Sequence, residues 1–390
     1  MRYHCRVRLA YCVTAHGLGH WTRSAALIDA LLRLDPSLDI VVSTGLPESV
    51  VRSELGARVR YRAACYEPGA CQTNCFDIDL DSTVNAYLEF EADRAQLLAH
   101  EREFLSSERI ELVVSDVAAL PVMAAGSAGV PAVAVANFTW DWVLGPLLQS
   151  TRAEHLPQTF AQDYGRGSAH FLLPFGQLES PFDVVVEAPV VARTARHTRS
   201  QTRTALSIEG TAARPVILVC IGGWRGSDLP PIEPRGAEHV LLLVVGDLTL
   251  RSRGPTLHLP HVLPQSLTFP DLVQLADGII TKPGYGMASE AYVHGTPIAF
   301  VEREGFRETP AIFQALRSRN RHPHRIMSRT SFATGDWGPT IDALVSEGRA
   351  APQAEGSETV ARELLRLAPH CRDPSSVSTR LRHQSRRSGP

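Results

Sequence analysis

VRLAYCVTAHGLGHWTRSAALIDALLRLDPSLDIVVSTG, residues 7–45, decides how the rest of the chain is read. Its first eight residues, VRLAYCVT, are strand formers, and AHGLGH then makes a glycine-bearing turn. Ala26, Leu27, Ala30, Leu31 and Leu34 recur at helical spacing after it, and LDIVVSTG is a strand again. Strand, glycine turn, helix and strand form a βαβ unit, whose crossover requires a parallel sheet.

The same alternation runs on. A helix is expected near 83–105, a strand over 110–116 (IELVVSD), a helix over 121–128 and a strand over 130–138 (VPAVAVANF), with a mixed stretch from 139 to 180. A polar, arginine-rich segment at 188–215 reads as a linker with a surface helix. PVILVCIGG, HVLLLVVGD, GIITKPG and TPIAFVER then mark the strands of a second α/β series, and SETVARELLRL (357–367) a final helix. The expectation is two doubly wound Rossmann-like domains facing across a cleft, residues 1–190 and 191–370, followed by a disordered tail over 371–390. Ligands of open α/β sheets bind at the carboxyl ends of the strands.

Composition narrows the classes. In 390 residues the hydrophobic fraction is 44%, the charged fraction 21% and the net charge −2, which suits a globular protein and gives no general attraction to nucleic acid or anionic lipid. The longest apolar run, residues 120–136, is broken by Gly126, Ser127, Gly129 and Pro131, and falls short of the roughly 20 residues that span a bilayer. The N-terminus lacks a sustained apolar segment, so the protein is read as cytoplasmic. Seven cysteines do not suggest a disulfide scaffold. Cys65, Cys71 and Cys75 cluster, but no second CxxC or CxxH accompanies them, and no metal site is expected.

Lys282 is the only lysine among 39 basic side chains. It opens KPGYGMASEA, where a strand runs into Lys282, Pro283, Gly284, Tyr285 and Gly286 and a helix starts near Met287. Glycines permit close backbone approach, and the unpaired N–H groups and positive dipole end of a helix start bind phosphate. A compact ammonium suits a phosphate oxygen or a carboxylate partner. Glu290, one turn in, could accept hydrogen bonds from ribose hydroxyls or only complement the dipole. In the N-terminal turn, His16 and His20 are able to carry protons near neutral pH, Gly17 and Gly19 allow close approach, and Arg23 could bind an anion or pair with a carboxylate. Asp116 ends a strand, where it could hold an imidazole or cap the next helix. Gly222 and Gly223 could touch a phosphate, and Phe306, Arg307 and Glu308 could read sugar hydroxyls or form only a solvated loop.

HGLGHWTRSAALIDALL (16–32), VVSDVAALPVMAAGSAGVPAVAVANFTWDWV (113–143), KPGYGMASEAYVHGTPIAFVEREGFRE (282–308) and FATGDWGPTIDAL (332–344) together resemble the GT-B glycosyltransferases. They are most similar to the glycosyltransferase-like N-terminal half of L-arabinokinases and its free-standing bacterial relatives. The resemblance covers roughly residues 8–368 and implies a nucleotide-diphosphate sugar bound mainly by the C-terminal domain, with an acceptor bound by the N-terminal one.

It places His20 as catalytic base and Asp116 as its partner. Gly284, Tyr285, Gly286, Met287 and Ala288 become the diphosphate-binding helix start, Glu290 the ribose ligand and Glu308 a reader of the donor sugar. His16, Gly17, Gly19, Arg23, Asn137 and Trp140 fall on the acceptor side. No cofactor beyond the donor is implied. The sequence has no glycine- and serine-rich ATP loop, so arabinose phosphorylation is not expected. Metal-independent glycosyl transfer leads, with a GT-B-fold epimerase or hydrolase, or a non-catalytic nucleotide-sugar sensor, as alternatives.

Overall fold

The computed structural model describes residues 7–211, 214–221, 229–260, 263–264, 266–318 and 322–368. Gly222, Gly223 and the 371–390 tail lie outside the described residues. The first sheet contains β1 (Arg8–Val13), β2 (Asp39–Thr44), β3 (Arg60–Ala63), β4 (Leu112–Asp116), β5 (Ala132–Ala136), β6 (Ala169–Leu172) and β7 (Val185–Glu187). The second contains β8 (Val216–Cys220), β9 (Leu241–Val245), β10 (Thr256–Leu259), β11 (Gly278–Thr281), β12 (Ile298–Val301) and β13 (His324–Met327).

Helices on the first sheet are α1 (Leu18–Leu34), α2 (Glu48–Leu55), α3 (Leu80–Ser107), α4 (Leu120–Ala128), α5 (Trp140–Leu148) and α6 (Leu156–Tyr164). The linker carries α7 (Arg199–Ala205). The second series has α8 (Phe269–Leu275), α9 (Tyr285–His294), α10 (Glu308–Ser318), α11 (Arg329–Thr334), α12 (Gly338–Glu347) and α13 (Ser357–Leu367).

Every strand pairing is parallel, in the orders β3-β2-β1-β4-β5-β6-β7 and β10-β9-β8-β11-β12-β13. The order reverses between β1 and β4 and again between β8 and β11, which opens a crevice at each switch point. Central strands such as β4, β8 and β9 are buried throughout, because helices cover both faces of a parallel sheet.

Two segments cross from one half into the core of the other. Helix α13, grouped with the second domain by sequence order, packs instead on α1 and shares a core with the first sheet through Val360, Ala361, Leu364 and Leu367. Burying a Val or Leu of its apolar stripe is worth about 1.5–3 kcal/mol. In the opposite direction, the loop between β3 and α3 carries Cys75 and Phe76 into the second domain's core beside Trp337 and Phe332. A Gln72–Ile78 bridge and an Asn74 side chain accepting from the Phe76 and Asp77 amides hold that loop in shape.

Candidate active site

Parallel register puts Val13 opposite Asp116. The turn after β1 and the last residue of β4 therefore share one edge of the first sheet. Gly17, at φ 83°, provides the left-handed turn before α1 and is its N-cap, with no side-chain cap.

His20 and Arg23, in the first turns of α1, both reach Asp116. The Arg23 Nε donates to Asp116 Oδ2 at 2.7 Å and its Nη2 to Oδ1, while Ser24 Oγ donates to Oδ2 at 2.8 Å. His20 Nδ1 lies 3.0 Å from Asp116 Oδ1. All four residues are buried. Burial alone would raise the Asp116 carboxyl, but Arg23 and His20 outweigh it and hold it below the usual carboxylate range. Burial and the Arg23 charge lower the His20 pKa despite the carboxylate, so the imidazole is neutral at neutral pH. A neutral imidazole backed by an ionised carboxylate is what a general base requires.

Arg23 and Asn137, assigned to the acceptor side, belong behind His20 instead. The Arg23 Nη1 donates to Asn137 Oδ1 at 2.7 Å, and Asn137 Nδ2 donates to the Pro174 carbonyl. A guanidinium committed to Asp116 and Asn137 positions the site rather than binding a free anion.

The turn after Asp116 is strained. Val117 has φ 68°, unusual for a β-branched residue, and such strain is found where the surroundings hold it in place. Tyr164 donates to the Val117 carbonyl, and Glu67 Oε1 accepts from the amides of Ala119 (3.0 Å) and Leu120 (2.8 Å). Burial raises the Glu67 carboxyl to about 7. Neither Glu67 nor Tyr164 was a sequence candidate, because each is about 50 residues from the turn it supports and no local pattern marks it.

Helix α9 starts directly opposite. A Cβ on Gly286 would lie 3.1 Å from Thr22 Oγ1 and 3.5 Å from Gly19 Cα, so the two glycine turns touch across the cleft. Gly284 caps α9 without a side-chain bond, and the first turn holds no acidic residue. The Ala288 amide bonds to the Gly284 carbonyl at 3.0 Å, which leaves the Tyr285, Gly286 and Met287 amides as the donors of this helix start. Burial, with Arg303 beside it, lowers the Lys282 pKa to about 8.

Phe138 links both sides, its ring 5.6 Å from His20, 5.5 Å from Tyr285 and 5.5 Å from Trp140. Trp140 is in turn 6.0 Å from the His16 ring. Burial and the nearby cations push His16 down to about 3, so it is neutral. Glu290 is buried and its Oε1 accepts from Arg193 Nε at 2.9 Å, while Arg193 Nη1 donates to Glu54 at 2.7 Å. That carboxylate oxygen is therefore committed to the linker.

Buried polar atoms are nearly always paired in folded proteins. Among the described residues, twelve buried side-chain polar atoms have no partner; seven of them are Trp140 Nε1, Asp141 Oδ1, Tyr285 OH, Arg303 Nε and Nη2, Glu308 Oε2 and Thr309 Oγ1. These seven lie at residues 140–141 and 285–309, and the other five, on Trp21, Glu67, Tyr87, Gln177 and Gln274, lie elsewhere. No group of three or more His, Cys, Asp or Glu among the described residues is placed to share a metal ion, and the described cysteines are all free. No described helix is long and apolar enough to cross a membrane.

Solved structures share this architecture over nearly the whole chain. A UDP-glucosyltransferase from Polygonum tinctorium capable of glucosylating indoxyl aligns over 93% of this chain and 98% of its own, with TM-score 0.59 and 13% identity. The glycosyltransferase SnogD from Streptomyces nogalater aligns over 93% and 99%, with TM-score 0.55 and 18% identity. The fold is GT-B. A third GT-B structure, Phytolacca americana UGT2 complexed with UDP-2-fluoroglucose and pterostilbene, aligns over 94% and 99%, with TM-score 0.59 and 12% identity.

In sequence the chain is similar to L-arabinokinase from Arabidopsis thaliana, 31% identical in an alignment of 347 positions that covers 86% of this chain. The matched chain spans about a third, 32%, of that relative's length. No family model matches.

Proposed function

We propose that the protein is a glycosyltransferase that moves a sugar from a nucleotide-diphosphate sugar to an acceptor hydroxyl. The observation that carries this reading is the contact between the two glycine turns, which sets a neutral His20 backed by Asp116 against the uncapped start of α9. His20 Nε2 takes the acceptor proton as the acceptor oxygen bonds to the anomeric carbon. The bond from that carbon to the diphosphate oxygen breaks, and its electron pair leaves with the diphosphate. Negative charge then grows on the leaving group, and in this reading the Tyr285, Gly286 and Met287 amides and the Lys282 ammonium stabilise it in the role a divalent ion would otherwise fill. A cytoplasmic location belongs to the same reading and accords with the free cysteines.

Thermal-shift titration with UDP-, GDP- and dTDP-sugars selects the donor, since a ligand that binds only the folded state raises apparent stability. With that donor and a panel of hydroxyl acceptors, His20→Ala should abolish transfer while leaving donor binding intact. Undiminished transfer would remove the base assignment. No stabilisation by any nucleotide sugar would remove the reading as a whole.

A further inference from the structure

The diphosphate cradle leaves one half-buried cation unused. Arg303 follows β12, and its guanidinium stacks 3.3 Å over the Phe306 ring while Nη1 donates to the Pro283 carbonyl at 3.4 Å. One face and one edge are thus fixed. The remaining edge, Nε and Nη2, is the fork that grips a planar two-oxygen anion with two parallel hydrogen bonds, and both of its atoms are buried without a partner. Glu308, the carboxylate whose charge acts most on Arg303, does not bond to it, and its own Oε2 is also without a partner. An unpaired buried charge is costly, and one held rigid in this way is preorganised for a ligand.

The fork adjoins the diphosphate cradle but comes from a different loop. Pro283 immediately precedes the α9 N-cap, so the guanidinium lies beside the helix start but offers its fork from the next loop of the sheet. Resting on the glycosyltransferase reading above, we propose that Arg303 receives a carboxylate on the transferred sugar, so that the donor is a nucleotide-diphosphate uronate rather than a neutral hexose or pentose. Phe306 covers the guanidinium, and Ile78 Cδ1 of the first domain lies 3.8 Å from where a Cβ on the adjacent Gly305 would sit. The fork is closed to solvent in this conformation, and the sugar reaches it by displacing that cover.

Matched donor pairs test this: UDP-glucose against UDP-glucuronate, and GDP-mannose against GDP-mannuronate, with the bare nucleoside diphosphates as reference. Calorimetry with the full chain should show the uronate of the preferred nucleotide binding about tenfold or more tightly than its neutral counterpart, the scale of a charge-assisted bidentate contact. Arg303→Gln should erase that preference, with a smaller loss shared by the neutral sugar and the bare diphosphate because the guanidinium also adds charge beside Lys282. Arg303→Lys, which keeps the charge without the fork, should restore only part of it. Arg303→Gln gives up the Pro283 bond and the Phe306 stack, so Tm is measured beside affinity, and retained binding of the bare diphosphate separates lost preference from misfolding.

Equal affinity for acid and neutral donors would overturn the proposal and leave the transferase reading standing. An equal loss for all ligands, bare diphosphate included, would assign Arg303 to the diphosphate instead and overturn it as well. Binding of no nucleotide or nucleotide sugar would overturn both readings.

Discussion

Arg23 Nη2 lies 2.7 Å from His20 Nδ1, the same nitrogen that sits 3.0 Å from Asp116 Oδ1. Base chemistry at Nε2 requires the imidazole proton on Nδ1, donated to Asp116. A proton on Nε2 would let Nδ1 accept from Arg23 and leave no base. The ionised Asp116 favours the first pattern, and the adjacent guanidinium keeps the ring from taking a second proton. The acid limb of kcat/KM should therefore fall below 6.5, the ordinary histidine value.

The sign for stability is the same. With the folded pKa lowered, the unfolded chain binds the proton first, so stability is lost as pH falls below 6.5. Arg23→Met should move the limb upward and, by stranding Asp116, cost about 3–5 kcal/mol. Nitrogen NMR of His20 reports the tautomer directly, and a neutral ring protonated at Nε2 would contradict the base assignment.

Lys282 makes a second, independent titration. Its folded pKa of about 8 lies below the ordinary 10.5, so between these values the unfolded chain holds the proton that the folded one has lost. Stability should rise with pH through that window. A bound diphosphate favours the ammonium and reverses the shift. At about pH 9, binding of the preferred nucleoside diphosphate should take up most of one proton per molecule, against almost none from this group at pH 7. Calorimetry in buffers of different ionisation heat measures the uptake, and Lys282→Arg should abolish it. Equal uptake in the variant would assign the proton elsewhere.

The two glycine turns were legible because each is a local pattern: a strand, two glycines and a helix within about twenty residues. The final helix is found over the expected Ser357–Leu367, but its place on α1 is a tertiary fact that spacing does not carry. Strands β3, β10 and β13 escaped the apolar pattern because they are sheet edges, half exposed and bearing Arg60, Arg62, His258, His324 and Arg325. Edge strands tolerate such charges and are protected from mispairing by them. Within the site, His20 and Asp116 were both candidates, whereas the roles of Arg23, Asn137 and Arg193 depend on register and linker path. Side chains that act through others leave no motif of their own.

Tyr164 offers a test of whether the strained turn matters to the site. Its hydroxyl bonds the Val117 carbonyl and accepts from the Trp140 amide at 3.2 Å, joining the Asp116 turn to the start of α5. Tyr164→Phe leaves both buried groups short of a partner and should cost about 1–3 kcal/mol. If the turn aims Asp116, kcat should fall while the Kd of the donor stays constant, and the acid limb should shift as the His20 contact loosens. A change in Tm with an unaltered kcat and pH profile would make Tyr164 purely structural.

Two of the contacts that hold the loop from the first domain on the second are of unequal worth. Arg329 pairs with Asp77, but the side chains are 46% and 37% exposed, so this pair contributes no more than about 1 kcal/mol. Phe76 is 1% exposed, with its ring 5.6 Å from Phe332 in the second domain's core. Removing a buried phenyl ring costs about 3–5 kcal/mol, so the aromatic plug and not the ion pair should hold the loop down. Arg329→Ala should leave Tm and transfer close to unchanged. Phe76→Ala should lower Tm and release the loop, making Cys75, now 3% exposed, available to a thiol reagent under native conditions. Cys75 labelling that rises as much in Arg329→Ala as in Phe76→Ala would reverse the ranking and make the ion pair the latch.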